Sequence, residues 1–451
     1  SSLPQPLRKI KDDNLELSIT YLNVKNGSSR LSVRSGLDQV LTLSTSEGHF
    51  NGVAIGSAAF VDGQISIGGE FDYIDVDQWW ALIQQTGARQ VGGSMNLPFF
   101  VDAKFKKFHL LGAEFQDSLM RGYFRNGEGI VSVDGPNASG SIGYVANKET
   151  KKITANFKRL VIKRPRSEKS NTFSHYNRSY LPPAVDAVID DLQIDGSDRG
   201  SVTLKGRPSN GKWRIDQLIN VVSDATLSAN GDWSFESGGP VVNYNVDLRV
   251  SDVGAYLKRI ENSDSIVGGN GNIKGTISWN GNPFALNVDS LHGKLFVLAQ
   301  DGKFGKMKPG VGNLIGLLSL QSLPRRITLD FRDVFSSGFS FDTVSSNVII
   351  RDGIAFTDAF SMKGPAAKVL MSGSVNLKRK EQALDVYITP DLSSVAAVAG
   401  AVAVAPVVGV ATFIAQKVLG DPFDKIATRH YEVLGTWSAP EVRRRRWTDT
   451  N

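Results

Sequence analysis

Apolar and polar residues alternate with period two along most of this chain. Examples are Gln64-Ile65-Ser66-Ile67 and Val242-Asn243-Tyr244-Asn245-Val246-Asp247-Leu248. Alternation sends successive side chains to opposite faces, so each run predicts a strand with one apolar face. Turn dipeptides punctuate the runs: Asn26-Gly27, Asp62-Gly63, Asn126-Gly127, Asp134-Gly135, Asn210-Gly211, Asn230-Gly231, Asn280-Gly281, Asp301-Gly302 and Asp352-Gly353. Such pairs favour two-residue turns whose twist matches paired strands, which predicts a series of antiparallel hairpins. The predicted fold class is mainly β.

A change of period marks the helices. Asp75-Val76-Asp77 leads into Gln78-Trp79-Trp80-Ala81-Leu82-Ile83, and Asp252-Val253-Gly254 leads into Ala255-Tyr256-Leu257-Lys258-Arg259-Ile260. In both, a strand ends at an Asp suited to capping a helix. The matched placement predicts a duplicated module of roughly 180 residues, with its boundary in Ser167 to Pro183. A third helix, 313–323, is predicted from Asn313 as N-cap, with Leu314, Leu317 and Leu318 on one face and Pro324 as its stop. Beyond Arg325 and Arg326 the period returns to two. Ile327, Leu329 and Phe331 oppose Thr328, Asp330 and Arg332, and Phe339 and Phe341 oppose Ser340 and Asp342. Val348, Ile350, Ile354 and Phe356 are assigned to the same apolar face. The organisation expected is a β module over 1–180, a second over 181–390 with the inserted helix, an apolar helical element over 391–428, and a final strand with a basic tail over 429–451.

The segment from Leu392 to Gln416 carries no charge. Its length suits a bilayer span, but it is Ala/Val-rich and broken by Pro406 and Gly409. It reads as two short packed helices, closing the β-structure or lying against a membrane. Val395, Val398, Val402, Val407, Val410, Phe413 and Ile414 are its candidates for membrane contact.

With 451 residues the chain exceeds one ordinary core. It has no cysteine, which excludes a disulfide scaffold, thiolate metal sites and thiol catalysis, and leaves the compartment open. A net charge of +6 gives mild attraction to anionic surfaces. The basic run Lys148, Lys151, Lys152, Lys158, Arg159, Lys163, Arg164, Arg166 and Lys169 reads as the solvent face of a strand, or alternatively as a patch for anionic headgroups. The start, SSLPQPLRKI, lacks the apolar core of a signal peptide and reads as part of something longer.

Signals for chemistry are mostly absent. Gly206 to Lys212 has phosphate-loop spacing, but Trp213 stands where Ser or Thr must ligate magnesium. The glycines of Gly310 to Gly316 and of Gly269 to Gly275 miss the dinucleotide fingerprint by one residue. The histidines, at 49, 109, 175, 292 and 430, have no metal-ligand spacing. There is no Gly-x-Ser-x-Gly elbow, although a carboxylate pair assembled by the fold stays open as an alternative. In Phe105-Lys106-Lys107-Phe108, strict alternation puts each Phe on a different face, which does not suit nucleic-acid binding. The chain reads as a non-enzyme with no catalytic residue, no cofactor, no metal and no nucleic-acid partner.

Three blocks carry a resemblance: Gly316 to Asp342, Met362 to Leu377 and Tyr431 to Val442. They resemble the C-terminal part of the YhdP family, within the AsmA-like group of bacterial envelope proteins that includes TamB. The match of blocks runs from about Ala184 to Val442, while residues 1 to 180 share only the general pattern. Ser346 departs from it, where glycine is expected. The resemblance implies a long curled antiparallel β-sheet forming an open, taco-like groove. It implies a periplasmic bridge that conducts phospholipids towards the outer membrane, anchored in the inner membrane by an N-terminal helix outside this chain. On that reading Ile327, Leu329, Phe331, Phe339, Phe341, Val348, Ile350, Ile354 and Phe356 line the groove. Leu314, Leu317 and Leu318 cross it, Arg325 and Arg326 meet headgroups, and the C-terminal end approaches the outer membrane. The alternative is a scaffold that binds an outer-membrane protein through its sheet edges.

Overall fold

In the computed structural model the described residues are 17–24, 28–35, 38–46, 49–75, 78, 98–110, 113–147, 150–163, 181–236, 238–261, 265–304, 340–390 and 428–445. The protein is mainly β, as alternation predicts. Two compact units, Ser1–Val221 and Val222–Asn451, divide the chain.

Unit 1 holds β1 (Leu17–Val24) to β15 (Lys212–Val222), laid side by side in nearly sequential order. Most pairings are antiparallel. The exceptions are β4 (His49–Gly56) with β5 (Ile65–Asp75), β5 with β6 (Phe99–Leu110), and β10 (Lys151–Ile162) with β11 (Ala184–Ile189) and β12 (Leu192–Ile194), all parallel. Unit 2 holds β16 (Ala225–Glu236) to β25 (Ala439–Arg445), and each of its described pairings is antiparallel and joins neighbours in sequence. Among the described pairings β1 meets only β2 (Ser28–Ser35), and β25 meets only β24 (Arg429–Thr436). Among the described residues those edges stay open, and the described strands close no barrel.

The turn dipeptides divide into classes. Asn126-Gly127, Asn210-Gly211 and Asp352-Gly353 form two-residue hairpin turns with both residues at positive φ, between 49° and 81°. Asp62-Gly63 lies in the connection between parallel β4 and β5. Asn230-Gly231 is inside β16, and Asp301-Gly302 is inside β19 (His292–Phe304). At Gly231 a Cβ would collide with the Asn243 carbonyl of the neighbouring strand, so glycine there serves a close approach of two backbones.

The predicted Asp caps form. Asp252 Oδ1 accepts from the backbone of Ala255 at 2.9 Å and opens the helix Val253–Glu261. Asp75 Oδ1 accepts from Gln78 N at the same 2.9 Å, while residues 79–83 of that predicted helix lie outside the described residues. Gly206 to Lys212, with its phosphate-loop spacing, is the β14–β15 hairpin, with β14 running Ser201–Ser209, and Gly269 to Gly275 lies inside the strand Ile266–Asn280, while Gly310 to Gly316 lies outside the described residues.

Each unit has its own core. In unit 1 it gathers around Phe105, Phe108, Phe115 and Phe157, and in unit 2 around Leu257, Phe341, Met362, Val369 and Ile388. Phe105 and Phe108 are both buried, at 2% and 1% exposure, so strict alternation fails between them. The slip falls at the level of Lys106 and of Asp117 on the paired β7 (Ala113–Arg125), where Asp117 takes φ 43°. Both lysines point outward, Lys106 to Asp72 at 2.7 Å and Lys107 to Glu114 at 3.8 Å. In the basic run, Lys152 and Arg159 pair with Asp186 and Asp191 across the parallel seam, and Lys151, Lys158 and Lys163 are exposed.

Candidate functional site

Directly opposed residues of paired strands share a face, so the register extends the sequence alternation into rows that cross the strands. In unit 2 one row reads Leu227, Leu248, Ile273 and Val297, through β16, β17 (Gly239–Val250), β18 (Ile266–Asn280) and β19. It meets Ser346 on β20 (Ser340–Arg351). The next row reads Ala229, Val246, Gly275, Leu295 and Val348. Every apolar residue of both rows is half-buried rather than sealed. The opposite face carries Ser228, Asp247, Lys274, Phe296 and Asn347. Two rows of accessible apolar side chains therefore lie side by side on one face.

Both margins of this floor are covered. On one side lies the row Ala225, Val250, Gly271, Ala299, Val344, Met362, Val369 and Ile388. The helix Val253–Glu261 rests there: Leu257 and Val253 join the core, and a Cβ on Gly271 would stand 3.2 Å from Val253 Cγ2. Arg259 fastens the helix by donating to both carboxylate oxygens of Asp224, which is 6% exposed. On the other side the loop after Asn280 folds over Trp233, Tyr244 and Trp279. Trp233 Nε1 donates to Gly281 O at 2.9 Å, Trp279 Nε1 to Asn282 O at 3.0 Å, and Tyr244 OH to Pro283 O at 3.4 Å. Six residues separate Val250 from Tyr244, which at ~3.4 Å per residue sets the margins ~20 Å apart.

Unit 1 repeats the motif. One row runs Leu41, Ile55, Ile67, Val101, Gly122, Val131, Ile142, Ala155, Ala187, Leu204 and Leu218. Leu41, Ile55, Val131, Ile142, Leu204 and Leu218 are again half-buried.

The sequence-predicted lining residues divide. Val348 and Ile350 lie on the floor face, with Leu295 and Gly293 as cross-strand partners. Phe341 is 2% exposed, packed 5.3 Å from Phe304 in the core at the helix margin. Ile354 and Phe356 lie on the opposite face. The Asp352-Gly353 turn pairs Ile350 with Ala355 and Ile349 with Phe356, so the parity of the apolar positions changes across the hairpin. Phe356 is 40% exposed there, directly opposite Ile349 and on the same face as Phe296. Leu314, Leu317, Leu318, Arg325, Arg326, Ile327, Leu329, Phe331 and Phe339 lie outside the described residues, as do Val395, Val398, Val402, Val407, Val410, Phe413 and Ile414. Sequence reading missed the floor itself. Its signal is the alternation of Val242 to Leu248, whose even positions include the floor residues Val246 and Leu248.

Ser346, the expected glycine, is buried and shares a 2.9 Å hydrogen bond with Thr357 at an irregularity in the β20–β21 ladder, with β21 running Ile354–Lys363. A hydroxyl pair thus satisfies itself in an otherwise apolar row. Among the described residues no group of three or more His, Asp or Glu is placed to hold a metal, and no helix is long and apolar enough to cross a membrane.

The chain is 26% identical over 375 residues to the intermembrane phospholipid transporter YhdP of Escherichia coli (strain K12), covering 81% of this chain and 29% of that protein. It therefore spans less than a third of the relative's length. No solved structure matches it. The family model described as YhdP protein matches residues 1–442, and the chain belongs to the YhdP family.

Proposed function

We propose that this chain carries phospholipid along its apolar sheet faces, as one part of an intermembrane transporter. The observation that supports the reading best is the pair of half-buried rows Leu227–Val297 and Ala229–Val348. Acyl chains make no hydrogen bonds, so a floor without specific polar groups suffices to hold them. Each methylene that leaves water contributes ~0.8 kcal/mol. Rows of similar apolar side chains present nearly the same surface at successive strands, so a chain can slide with little change in energy. The process needs no covalent step, and we read the protein as a carrier without cofactor rather than an enzyme. The relative's name, intermembrane phospholipid transporter, supports the same cargo.

In the whole protein we place this segment in the periplasm of a Gram-negative envelope, tethered to the inner membrane by an N-terminal helix and directed to the outer membrane at its C-terminal end. Val395 to Ile414 would then contact that membrane, Leu314 to Leu318 would cross the groove, and Arg325 and Arg326 would meet headgroups. The two β modules, divided near residue 180, would each supply a stretch of groove.

Native mass spectrometry of the purified chain tests the reading. Phospholipid should co-purify, and Val297→Glu with Leu248→Glu should abolish it, while Phe356→Glu on the other face leaves it in place. Thermal melting separates loss of lipid from loss of fold. A lipid-free protein with a stoichiometric protein partner would instead favour a scaffold acting through the open edges β1 and β25. The arginines at 443, 444 and 445 on β25 weigh against that second reading, since charge on an edge strand discourages pairing.

A further inference from the structure

The loop from Gly281 to Asn287 combines two properties that rarely occur together. Its backbone is fixed. Three successive carbonyls, of Gly281, Asn282 and Pro283, accept hydrogen bonds from buried aromatic side chains beneath. The side chain of Asn282 also accepts from Phe284 N at 2.8 Å, and that of Asn287 donates to Asn280 O at 3.2 Å. Asp289, just after the loop, forms a 2.6 Å ion pair with Lys378 on a neighbouring turn. Yet this fixed loop leaves Phe284 52% and Leu286 55% exposed. A flexible loop could fold such side chains away. Here the carbonyls that would have to move are already bound, so the two side chains are held out at one margin of the apolar floor.

We infer that Phe284 and Leu286 form a fixed apolar shoulder that contacts the acyl chains of a lipid lying on the unit 2 floor. The inference rests on the lipid-carrying reading above and adds a specific contact to it. The floor has one margin walled by the helix through Leu257 and Val253. The opposite margin is the loop, whose covered side is committed to Trp233, Tyr244 and Trp279. Its exposed apolar side chains are the surface left to complete a trough, and an acyl chain is the ligand class that matches both floor and shoulder. Trp279 is a positioning residue in this scheme: its indole N–H holds Asn282 O and does not itself reach the ligand side.

A photocrosslinking amino acid placed singly at Phe284, Leu286, Val297 and Phe356 in the full-length transporter tests this. Phospholipid adducts at Phe284, Leu286 and Val297, and none at Phe356, are the expected result. Adducts at Val297 without any at Phe284 or Leu286 would overturn the shoulder and leave the lipid-carrying reading intact. Absence of adducts at all four would overturn both. A protein adduct at Phe284 or Leu286 would reassign the loop as a partner interface and overturn the shoulder. Phe284→Ser with Leu286→Ser should lower co-purified lipid severalfold with an unchanged melting temperature. Phe284→Leu, which keeps the apolar surface, should retain it, and retained lipid in the double serine variant would also count against the contact. Trp279→Phe removes the hold on Asn282 and should reduce adduct yield at Phe284 while Val297 labelling persists.

Discussion

Tyr244 sits where the floor of unit 2 passes beneath the loop, 4% exposed, with its hydroxyl directed at Pro283 O. Burial disfavours the phenolate and pushes its pKa well above the ordinary value near ~10. A group whose folded pKa is raised contributes stability that is complete below its unfolded pKa and lost as the pH rises towards the folded one. Stability to urea should therefore fall above about pH 10, and Tyr244→Phe should make that fall shallower. At pH 8 the same variant should lose no more than about 1 kcal/mol, because one long hydrogen bond is removed and the ring stays in place. Single residues also mark where the sequence could not be read. The Asp352-Gly353 turn, like any two-residue turn, pairs each even position with an odd one of the next strand, so Phe356 falls on the face opposite to that of Ile350. That is decided by the pairing of Ile350 with Ala355, a property of register that alternation within one strand does not contain.

Among the elements, hairpins were the most legible and their turns the least uniform. Asn126-Gly127, Asn210-Gly211 and Asp352-Gly353 adopt the turn their chemistry favours. Asn230-Gly231 has the same chemistry but lies in mid-strand, where the neighbouring backbone leaves no room for a side chain. Gly231→Ala should accordingly destabilise unit 2 by about 1–3 kcal/mol, the cost of forcing an extra atom into close packing. Gly238→Ala, with nothing within 4 Å of the added Cβ, should change stability by no more than about 0.5 kcal/mol. Chemical denaturation of the two variants separates these cases. The helix Val253–Glu261 was legible from its Asp252 cap and its Leu257 face. Its fastening to Asp224 was not, since a contact between residues 35 apart leaves no local pattern.

At the scale of the molecule, alternation repeated over 25 described strands yields two units, each with a continuous apolar face. The mainly β fold, its open edges and its family could all be read from the chain, because hairpin spacing and family blocks are local in sequence. The parallel seams of unit 1 could not be, because the direction of a strand depends on where its partner lies rather than on its own residues. The candidate site was legible only in kind. Alternation predicts an apolar face, and the half-buried apolar rows of unit 2 lie on β16 to β20, mostly before the predicted lining residues Ile327 to Phe356. The central claim, that one face of this sheet carries lipid, is tested most directly by scanning a photocrosslinker along β19 in the full-length protein. Phospholipid adducts should follow a period of two, present at Leu295 and Val297 and absent at Lys294 and Phe296, although Phe296 is apolar and 43% exposed. Equal labelling of the two faces, or labelling at Phe296 in place of Val297, would contradict it.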